Sequence, residues 1–195
     1  MRADRRLTLE QAEQFTYDPM DPVPTTGGAL LMGGGLLNTD EFRPGPLDQA
    51  GVEAREDVLV FTTEPLTEDV EATGRVRAVL FAVTDGPSTD RMARLCDVDQ
   101  NGVSLNVADG IARVHAATPG EAAEHVVDLW STSIVFKAGH RIRVQVTSSN
   151  FPRWDRNLNT GEPEDSATRA RAARQQLFHD PARPSRIVLP VVPPA

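Results

Sequence analysis

The feature that most constrains the fold is a strict alternation of apolar and polar residues between Arg141 and Thr147. The apolar positions are Ile142, Val144 and Val146, and the polar positions between them are Arg141, Arg143 and Gln145. Successive side chains of a β-strand point to opposite faces of the sheet. The pattern therefore predicts a strand with one buried face and one face in contact with water.

Seven further runs of β-branched or alternating residues lie along the chain, separated by turn residues. The eight predicted strands are Val58–Thr63, Arg75–Val83, Met92–Val98, Val103–Asn106, Ile111–Ala116, Glu124–Trp130, Arg141–Thr147 and Arg186–Val192. The one helix-like segment, Asp165–Gln176, has an Ala/Arg run behind an Asp or Ser that could cap it, and it could equally be a disordered loop. Eight strands without a long helix predict an all-β fold, most simply a jelly-roll β-sandwich.

The 195 residues fit one domain, because β-sandwiches often reach about 200 residues undivided. Residues 1–14 are polar and lack a helical apolar stripe, so we expect a flexible N-terminal segment followed by one domain over residues 15–195. The net charge of −8 argues against a nucleic-acid partner. The single cysteine, Cys96, excludes an intramolecular disulfide framework and is expected to be a buried structural thiol.

Two sequence features bear on location. The basic N-terminus is not followed by the apolar run of a secretory signal. No run approaches the roughly 18 apolar residues of a membrane span. We therefore expect a cytoplasmic location and no membrane partner.

The segment Asp97-Val-Asp99-Gln-Asn101-Gly102 resembles the opening of a calcium-binding loop, with oxygen ligands at positions 1, 3 and 5. Position 12 of such a loop should be a bidentate Glu, but Ala108 is found there. Asn-Gly between two predicted strands also favours a tight hairpin turn. The turn is the preferred interpretation, and no metal or other cofactor is expected.

No catalytic residues are predicted. The Gly-x-Ser-x-Gly motif is absent, because Asn106 follows Ser104 where a Gly would be needed. The four histidines lack the spacing of a zinc site, and His140, next to Gly139, is expected to be a surface or hydrogen-bonding residue. The run Gly33–Gly35 lacks the Lys-Ser/Thr of a phosphate-binding loop and is expected to be a flexible loop.

The most unusual segment of the chain combines two aromatic residues, two arginines and an aspartate. It comprises Phe151, Pro152, Arg153, Trp154, Asp155, Arg156 and Asn157. Trp and Arg are enriched in interface hot spots, so this segment predicts a contact surface. The alternative is a self-contained loop in which Asp155 binds local backbone or arginine and the rings close one end of the sandwich.

Several spaced motifs occur in one order along the chain. They are Tyr17-Asp18-Pro19, Asp21-Pro22-Val23-Pro24, Gly27-Gly28, Gly45–Gln49, Leu59–Leu66, Val70–Val76, Asp109-Gly110, Asp128-Leu129-Trp130, Phe136–Arg143, Ser148–Gly161 and Pro184–Pro190. Together they resemble the C-terminal domain of the X-Pro dipeptidyl-peptidase and cocaine esterase family of serine hydrolases. The resemblance covers nearly the whole chain from about Phe15 to Pro193.

The resemblance implies a galactose-binding-like jelly roll that packs against an α/β-hydrolase domain carrying the Ser-Asp-His triad. That catalytic domain is N-terminal in the family and is the expected partner, so this chain is expected to be inactive alone. It would be either a shortened piece of the enzyme or the product of a split gene. In cocaine-esterase-like members, the positions of Leu31 and Met32 reach the acyl pocket of the substrate. The alternative is that both side chains simply belong to the core.

Two function classes are compatible with these observations. The first is a non-catalytic accessory domain that stabilises a hydrolase and lines one side of its substrate cleft. The second is a free-standing module that binds carbohydrate or protein, in which Trp130 and Trp154 stack on a sugar and Asp155 binds its hydroxyls. Self-association is a third and weaker hypothesis, since a face built to cover a hydrolase would be exposed in this chain.

Overall fold

The computed structural model describes residues 12–30, 43–163 and 165–193. Within these ranges, the chain forms nine strands and one short helix. In chain order these are β1 Glu13–Tyr17, α1 Ala50–Glu53, β2 Leu59–Thr62, β3 Val70–Thr84, β4 Thr89–Val98, β5 Ser104–Val114, β6 Ala123–Phe136, β7 Arg141–Thr147, β8 Ala173–Phe178 and β9 Arg186–Val188. The predicted all-β sandwich is confirmed, while its jelly-roll and galactose-binding-like character stays a prediction.

The strands form two antiparallel sheets that face each other. The larger sheet has the order β1-β8-β3-β6, and β9 also pairs with β3. The smaller sheet has the order β2-β7-β4-β5. The edge strands β5 and β6, which belong to different sheets, pack closely together and close one side of the sandwich. On the other side, β2 and β7 face β8 and β9 across a cleft.

The hydrophobic core lies between the two sheets. Its buried side chains are Phe15, Tyr17, Leu59, Ala72, Val76, Ala78, Leu80, Ala82, Ala93, Leu95, Val127, Leu129, Phe136, Val146 and Leu177. Ile142 and Val144 of β7 pack against this cluster, so the apolar face predicted from the alternation is confirmed. A smaller cluster of Val23, Val52 and Val58 lies apart from it.

The other face of β7 is not the solvent-facing surface that the alternation predicted. Gln145 is only 1% exposed, and Arg143 is largely buried against Glu53 of α1. Helix α1 covers this part of the smaller sheet, and Val52 within the helix and Val58 after it are buried as well. The prediction was wrong here because alternation reports the polarity of a face, whereas its burial depends on which segment packs over it.

The helix-like interpretation of Asp165–Gln176 was also wrong. Residues 165–172 form turns and irregular structure, and the strand β8 begins at Ala173. Ala173, Gln175 and Leu177 alternate toward the interior of the sandwich, and β8 pairs with β1 on one side and β3 on the other. These sheet hydrogen bonds outweigh the helix propensity of the local Ala/Arg composition.

Two predicted boundaries also shift. The runs predicted as Val103–Asn106 and Ile111–Ala116 belong to one strand, β5, whose pairing with β4 shifts register between Leu95 and Cys96. Residues 13 and 14, assigned to the flexible segment, belong to β1. The division into a segment over residues 1–14 and one domain stays a prediction. No helix in the described part of the chain is long and apolar enough to cross a membrane.

Cys96 is fully buried in β4, so the prediction of a structural thiol is confirmed. Burial raises the pKa of the Cys96 thiol to about 12. A thiol must ionise to act as a nucleophile. The side chain is therefore inert at neutral pH.

Candidate functional site

A surface cleft of about 460 Å³ brings several separated sequence motifs together at the closed side of the sandwich. We call it the bulge cleft. The residues that line it are Gly28, Ala29, Gly45, Pro46, Asp97, Leu105, Asn106, Val107, Ala108, Asp109, Leu129, Trp130, Ser131, Thr132, Ser133, Ile134 and Arg153. They come from the Gly27-Gly28 and Gly45-Pro46 loops, from the end of β4, from β5 and β6, and from the unusual segment after β7.

Gly28 and Gly45 form one rim of the bulge cleft. The N–H of Gly28 donates to the carbonyl oxygen of Gly45 at 2.8 Å, and the N–H of Gly45 donates to that of Gly28 at 3.0 Å. Gly28 has φ +93, and a β carbon there would lie 3.0 Å from Nη1 of Arg153. This close approach at a left-handed backbone position explains the glycine. Leu31, Met32 and Gly33–Gly35 lie outside the described residues.

Asp109 is the electrostatic centre of the bulge cleft. Its carboxylate is only 5% exposed and forms an ion pair with Arg153. Asn150 donates its side-chain amide to Asp109 at 3.3 Å, and Nε of Arg94 lies 3.8 Å from the same oxygen. Two arginines thus surround one buried carboxylate. Because a buried charge is tolerated only when it is paired, Asp109 fixes the 150–153 segment to β5.

Arg94 connects this centre to α1. The guanidinium is 1% exposed, and its Nη1 donates to the side-chain oxygens of Gln49 at 2.8 Å and Gln145 at 2.9 Å. Burial lowers the pKa of Arg94, and the nearby Asp109 carboxylate opposes that shift. Glu53 accepts the side-chain amide of Gln145 at 2.9 Å. A buried polar network therefore joins the bulge cleft to the covered face of the smaller sheet.

Trp130 projects from a bulge in β6. The β3–β6 register shifts between Arg75 and Arg77, and Trp130 has φ 65, which is rare for a bulky residue. The carboxylate of Asp128 holds the bulge, since it accepts the N–H of Trp130 at 3.1 Å and pairs with Arg75. That hydrogen-bonded pair with Arg75 lowers the pKa of Asp128. The indole is left 65% exposed.

The segment Phe151–Asn157 makes contacts within the domain and leaves part of its surface exposed. Toward the interior, Asn157 is buried and donates to Asp90. Asp155 is itself exposed and pairs with Arg113 at 2.9 Å. Toward the surface, Phe151 is 40% exposed. The local part of the prediction, in which Asp155 binds an arginine, is confirmed.

The two rings of this segment are covered by its two arginines. The guanidinium of Arg153 lies 4.2 Å from the centre of the Trp154 ring, and that of Arg156 lies 5.4 Å from the centre of the Phe151 ring. Cation–π contacts of this kind hold aromatic side chains in one orientation. The two arginines therefore hold the rings of Phe151 and Trp154 in fixed orientations at the surface of the segment. Whether a partner covers it stays a prediction.

The segment Asp97–Gly102 forms the predicted tight turn between β4 and β5. Asp99 Oδ1 accepts the backbone N–H of Asn101 at 2.8 Å. Asp97 lies 3.0 Å from Nδ1 of His140, which confirms the hydrogen-bonding role expected for that histidine. The turn interpretation is confirmed. Across the described ranges, no three His, Cys, Asp or Glu side chains are grouped so as to hold a metal ion.

A sequence model of the X-Pro dipeptidyl-peptidase C-terminal non-catalytic domain matches residues 5–188. The chain belongs to this family. The resemblance inferred from the ordered motifs is therefore confirmed.

Several larger hydrolases contain a region that is similar to this domain over almost the full length of the domain. Cocaine esterase from Rhodococcus sp. (strain MB1 Bresler) is 41% identical, and the match covers 94% of this chain and 33% of that protein. An aminopeptidase from the marine sediment archaeon Thaumarchaeota archaeon superposes with a TM-score of 0.82 at 28% identity, covering 94% and 33% of the two chains. An α-amino acid ester hydrolase superposes with a TM-score of 0.77 at 28% identity, covering 93% and 32%. The chain spans about a third of the length of these relatives.

One cleft of this non-catalytic domain contains the residue types of a hydrolytic triad. Ser88, His115 and Asp155 line a depression of about 710 Å³. Oγ of Ser88 donates to Oδ1 of Asn157 at 3.0 Å and accepts the N–H of Gly161 at 3.0 Å. The hydroxyl proton is therefore engaged by an amide oxygen, whereas nucleophilic catalysis requires that it pass to a base. This arrangement makes Ser88 a structural residue.

The sequence pattern did not predict that Arg94 is buried beside the bulge cleft. The one sequence signal for the burial of Arg94 is the pair of apolar residues Met92 and Cys96. Both lie on the same face of β4 as Arg94 and are fully buried. Their presence on the outer face of the sheet indicates that another segment covers it. Asp109 was noted only as half of an Asp-Gly motif, and its hydrogen-bond partners Asn150 and Arg153 lie 41 and 44 positions away.

Proposed function

We propose that this chain is the non-catalytic accessory domain of a serine hydrolase and packs against an α/β-hydrolase domain through the side that carries the bulge cleft. The observation that carries the proposal is Trp130, a large apolar ring held outward at a strained backbone position. Strained residues persist where the surrounding structure enforces them, and they are concentrated at functional sites. Tryptophan is also among the residues most enriched at interface hot spots.

The predicted contact segment extends this surface. Phe151 and Pro152 are exposed, and Arg153, which connects them to the bulge cleft, also supports the Trp154 ring. Asp155, Arg156 and Asn157 bind within the domain and orient the segment. In this proposal, Trp130 and Phe151 are the apolar anchors and the arginines form the polar rim. Such a distribution is typical of protein–protein interfaces.

The substrate class is proposed from the relatives. Their names describe hydrolysis of an ester, an amino acid ester or a peptide, each of which has an acyl carbon that a hydrolase attacks. We propose that this domain forms one wall of such a substrate cleft. Leu31 and Met32 would line its acyl pocket, because they follow the Gly28–Gly45 rim of the bulge cleft in the chain.

The test uses the whole parent enzyme, in which the contact can form. Trp130→Ala is compared with Val126→Ala, because Val126 is also on β6 and is 52% exposed. The proposal expects Trp130→Ala to lower the thermal midpoint of the whole enzyme, to raise KM, and to leave the fold of this domain intact. Val126→Ala should behave as the unmodified enzyme does. If both variants retain the unmodified midpoint and kinetics, the contact does not lie on this side.

A free-standing binding module is the second candidate, and the exposed Trp130 favours it too. The indole lies beside Ser131, Thr132 and Ser133 of the bulge cleft, and exposed rings flanked by hydroxyls suit sugar stacking. A glycan array probed with the isolated chain distinguishes the candidates, since the accessory domain should give no saturable signal. Self-association through the same surface and a cytoplasmic location stay predictions.

A further inference from the structure

A second cleft lies at the other side of the sandwich, where β2 and β7 face β8 and β9. We call it the edge cleft, and it has a volume of about 170 Å³. None of its lining residues belongs to the bulge cleft, so a ligand bound there would be independent of the proposed accessory role. The edge cleft is an opening in the hydrophobic core, because Leu80, Val146 and Leu177 at its walls are core residues.

The interior of the edge cleft is apolar. Phe61, Ile142, Val144 and Ile187 are partly buried hydrophobic residues that pack against the core and line the cleft. Its volume is close to that of an apolar cavity of about 150 Å³ that stays dry and binds benzene in another protein. The cleft therefore has room for one aromatic ring.

The polar groups of the edge cleft divide into engaged and available ones. The hydroxyl of Thr62 accepts from Arg143, and that of Thr63 accepts from the N–H of Ile142. By contrast, the guanidinium of Arg186 is exposed and makes one hydrogen bond to described residues, from Nη1 to the carbonyl oxygen of Pro184 at 3.0 Å.

His179 stands beside this cation. Its ring packs edge-on against Phe61, with the ring centres 6.0 Å apart. Its nitrogens make no hydrogen bond to any residue in the described part of the chain. Donors are thus available on the wall of an otherwise apolar cleft.

The charge pattern selects an anionic ligand. Arg186 is a fixed cation, and no acidic side chain is found among the described residues that line the edge cleft. The chain as a whole has a net charge of −8, so the positive charge at this cleft is a local feature and does not follow from the overall charge. An arginine with free donors also binds carboxylates in a defined geometry.

We infer that the edge cleft binds a small monocarboxylate whose apolar body is one aromatic ring, with the ring against Phe61 and Val144 and the carboxylate on Arg186. The ring fills the apolar space, and a short linker lets the carboxylate reach the exposed guanidinium. Ring burial supplies most of the affinity, while the charge pair selects the acid over its neutral analogue.

The experiment is a calorimetric titration of the chain with phenylacetate, benzyl alcohol and acetate. Phenylacetate has both the ring and the charge, benzyl alcohol has the ring alone, and acetate has the carboxylate alone. A ligand of about ten non-hydrogen atoms should bind with a dissociation constant on the order of 1–10 mM. We expect benzyl alcohol to bind about fivefold more weakly, as for an exposed charge pair, and acetate not to bind.

Substitutions at three positions locate the site. Val144→Phe fills the apolar space and should abolish phenylacetate binding; Ile187→Phe does the same from the opposite sheet if the first variant fails to fold. Arg186→Gln should lower the affinity for phenylacetate to that for benzyl alcohol. The affinity for benzyl alcohol itself should not change in this variant. Amide shifts in the unmodified chain should map to β2, β7 and β9.

Several outcomes would overturn the inference. One is that phenylacetate does not bind at concentrations about 10-fold above the expected dissociation constant. The others are that benzyl alcohol binds as tightly as phenylacetate, that acetate competes with phenylacetate, or that Val144→Phe and Ile187→Phe still bind it.

Discussion

Gly110 of β5 lies directly against the backbone of Asp128 in β6. A β carbon at position 110 would lie 2.8 Å from the carbonyl carbon of Asp128 and 3.2 Å from Cα of Leu129. Only glycine allows the edge strands of the two sheets to approach this closely. The contact also sets the place from which the bulge turns Trp130 outward.

We therefore predict that Gly110→Ala destabilises the domain by about 2 kcal/mol or more, because the clash is with backbone that cannot rotate away. Urea unfolding monitored by tryptophan fluorescence measures the change. Gly51→Ala is the matched control, since a β carbon there meets nothing within 4 Å and α1 tolerates alanine. Equal effects of the two substitutions would show that the strands do not approach in solution as described.

The second prediction concerns the buried network. Arg94→Ala should lower the free energy of unfolding by about 3 kcal/mol, because it leaves Asp109 and two amide oxygens with fewer buried partners. Arg174→Ala removes an arginine whose side chain is 81% exposed and should change stability by less than about 1 kcal/mol. Chemical denaturation of both variants gives the comparison. If Arg94→Ala lowers the free energy of unfolding by less than Arg174→Ala does, Arg94 does not stabilise the buried network.

The third prediction is a loss of stability in alkali. Burial raises the pKa of the Cys96 thiol from 9.0 to about 12, so the unfolded chain releases this proton at lower pH than the folded chain does. The contribution to stability is thus fully present below pH 9 and is lost as pH rises from 9 toward 12. At about pH 10 the expected loss from this group is about 1.4 kcal/mol.

Burial also raises the pKa of Tyr17, and the nearby Asp90 adds to this shift. Ionisation of the phenol in the unfolded chain therefore also lowers the stability of the folded chain, at higher pH than Cys96 does. Denaturation midpoints between about pH 8 and 11 test both groups. Cys96→Ala should flatten the profile near about pH 9–10, and Tyr17→Phe should flatten it above about pH 10. An unchanged profile in Cys96→Ala would contradict the buried thiol.

The fourth prediction tests the strain at Trp130. Because L-residues in the left-handed region cost about 1–2 kcal/mol relative to glycine, Trp130→Gly should be more stable than Trp130→Ala by about 1 kcal/mol. Both variants remove the indole, so their difference isolates the backbone. Thermal unfolding of the two isolated domains measures it. If alanine is the more stable residue, the bulge does not hold the left-handed conformation in solution.

The sequence by itself determined the strands that have a clear alternating or β-branched pattern, whereas β1 and β8 were not among the predicted strands. Alternation in β7 placed Ile142, Val144 and Val146 on the core face, because side-chain direction in a strand is a local property with a period of two. The Asn101-Gly102 turn and the burial of Cys96 were predicted from equally local chemistry. The ordered motifs identified the family for the same reason, because each motif consists of residues that are adjacent in the sequence.

Only the tertiary structure decided what covers each face. Arg94, Arg143 and Gln145 occupy positions that a strand pattern assigns to water, yet α1 lies over them and supplies Gln49 and Glu53 as partners. The bulge cleft likewise assembles from segments far apart in sequence. Burial and pairing depend on these long-range contacts, so a pattern of neighbouring residues does not contain them.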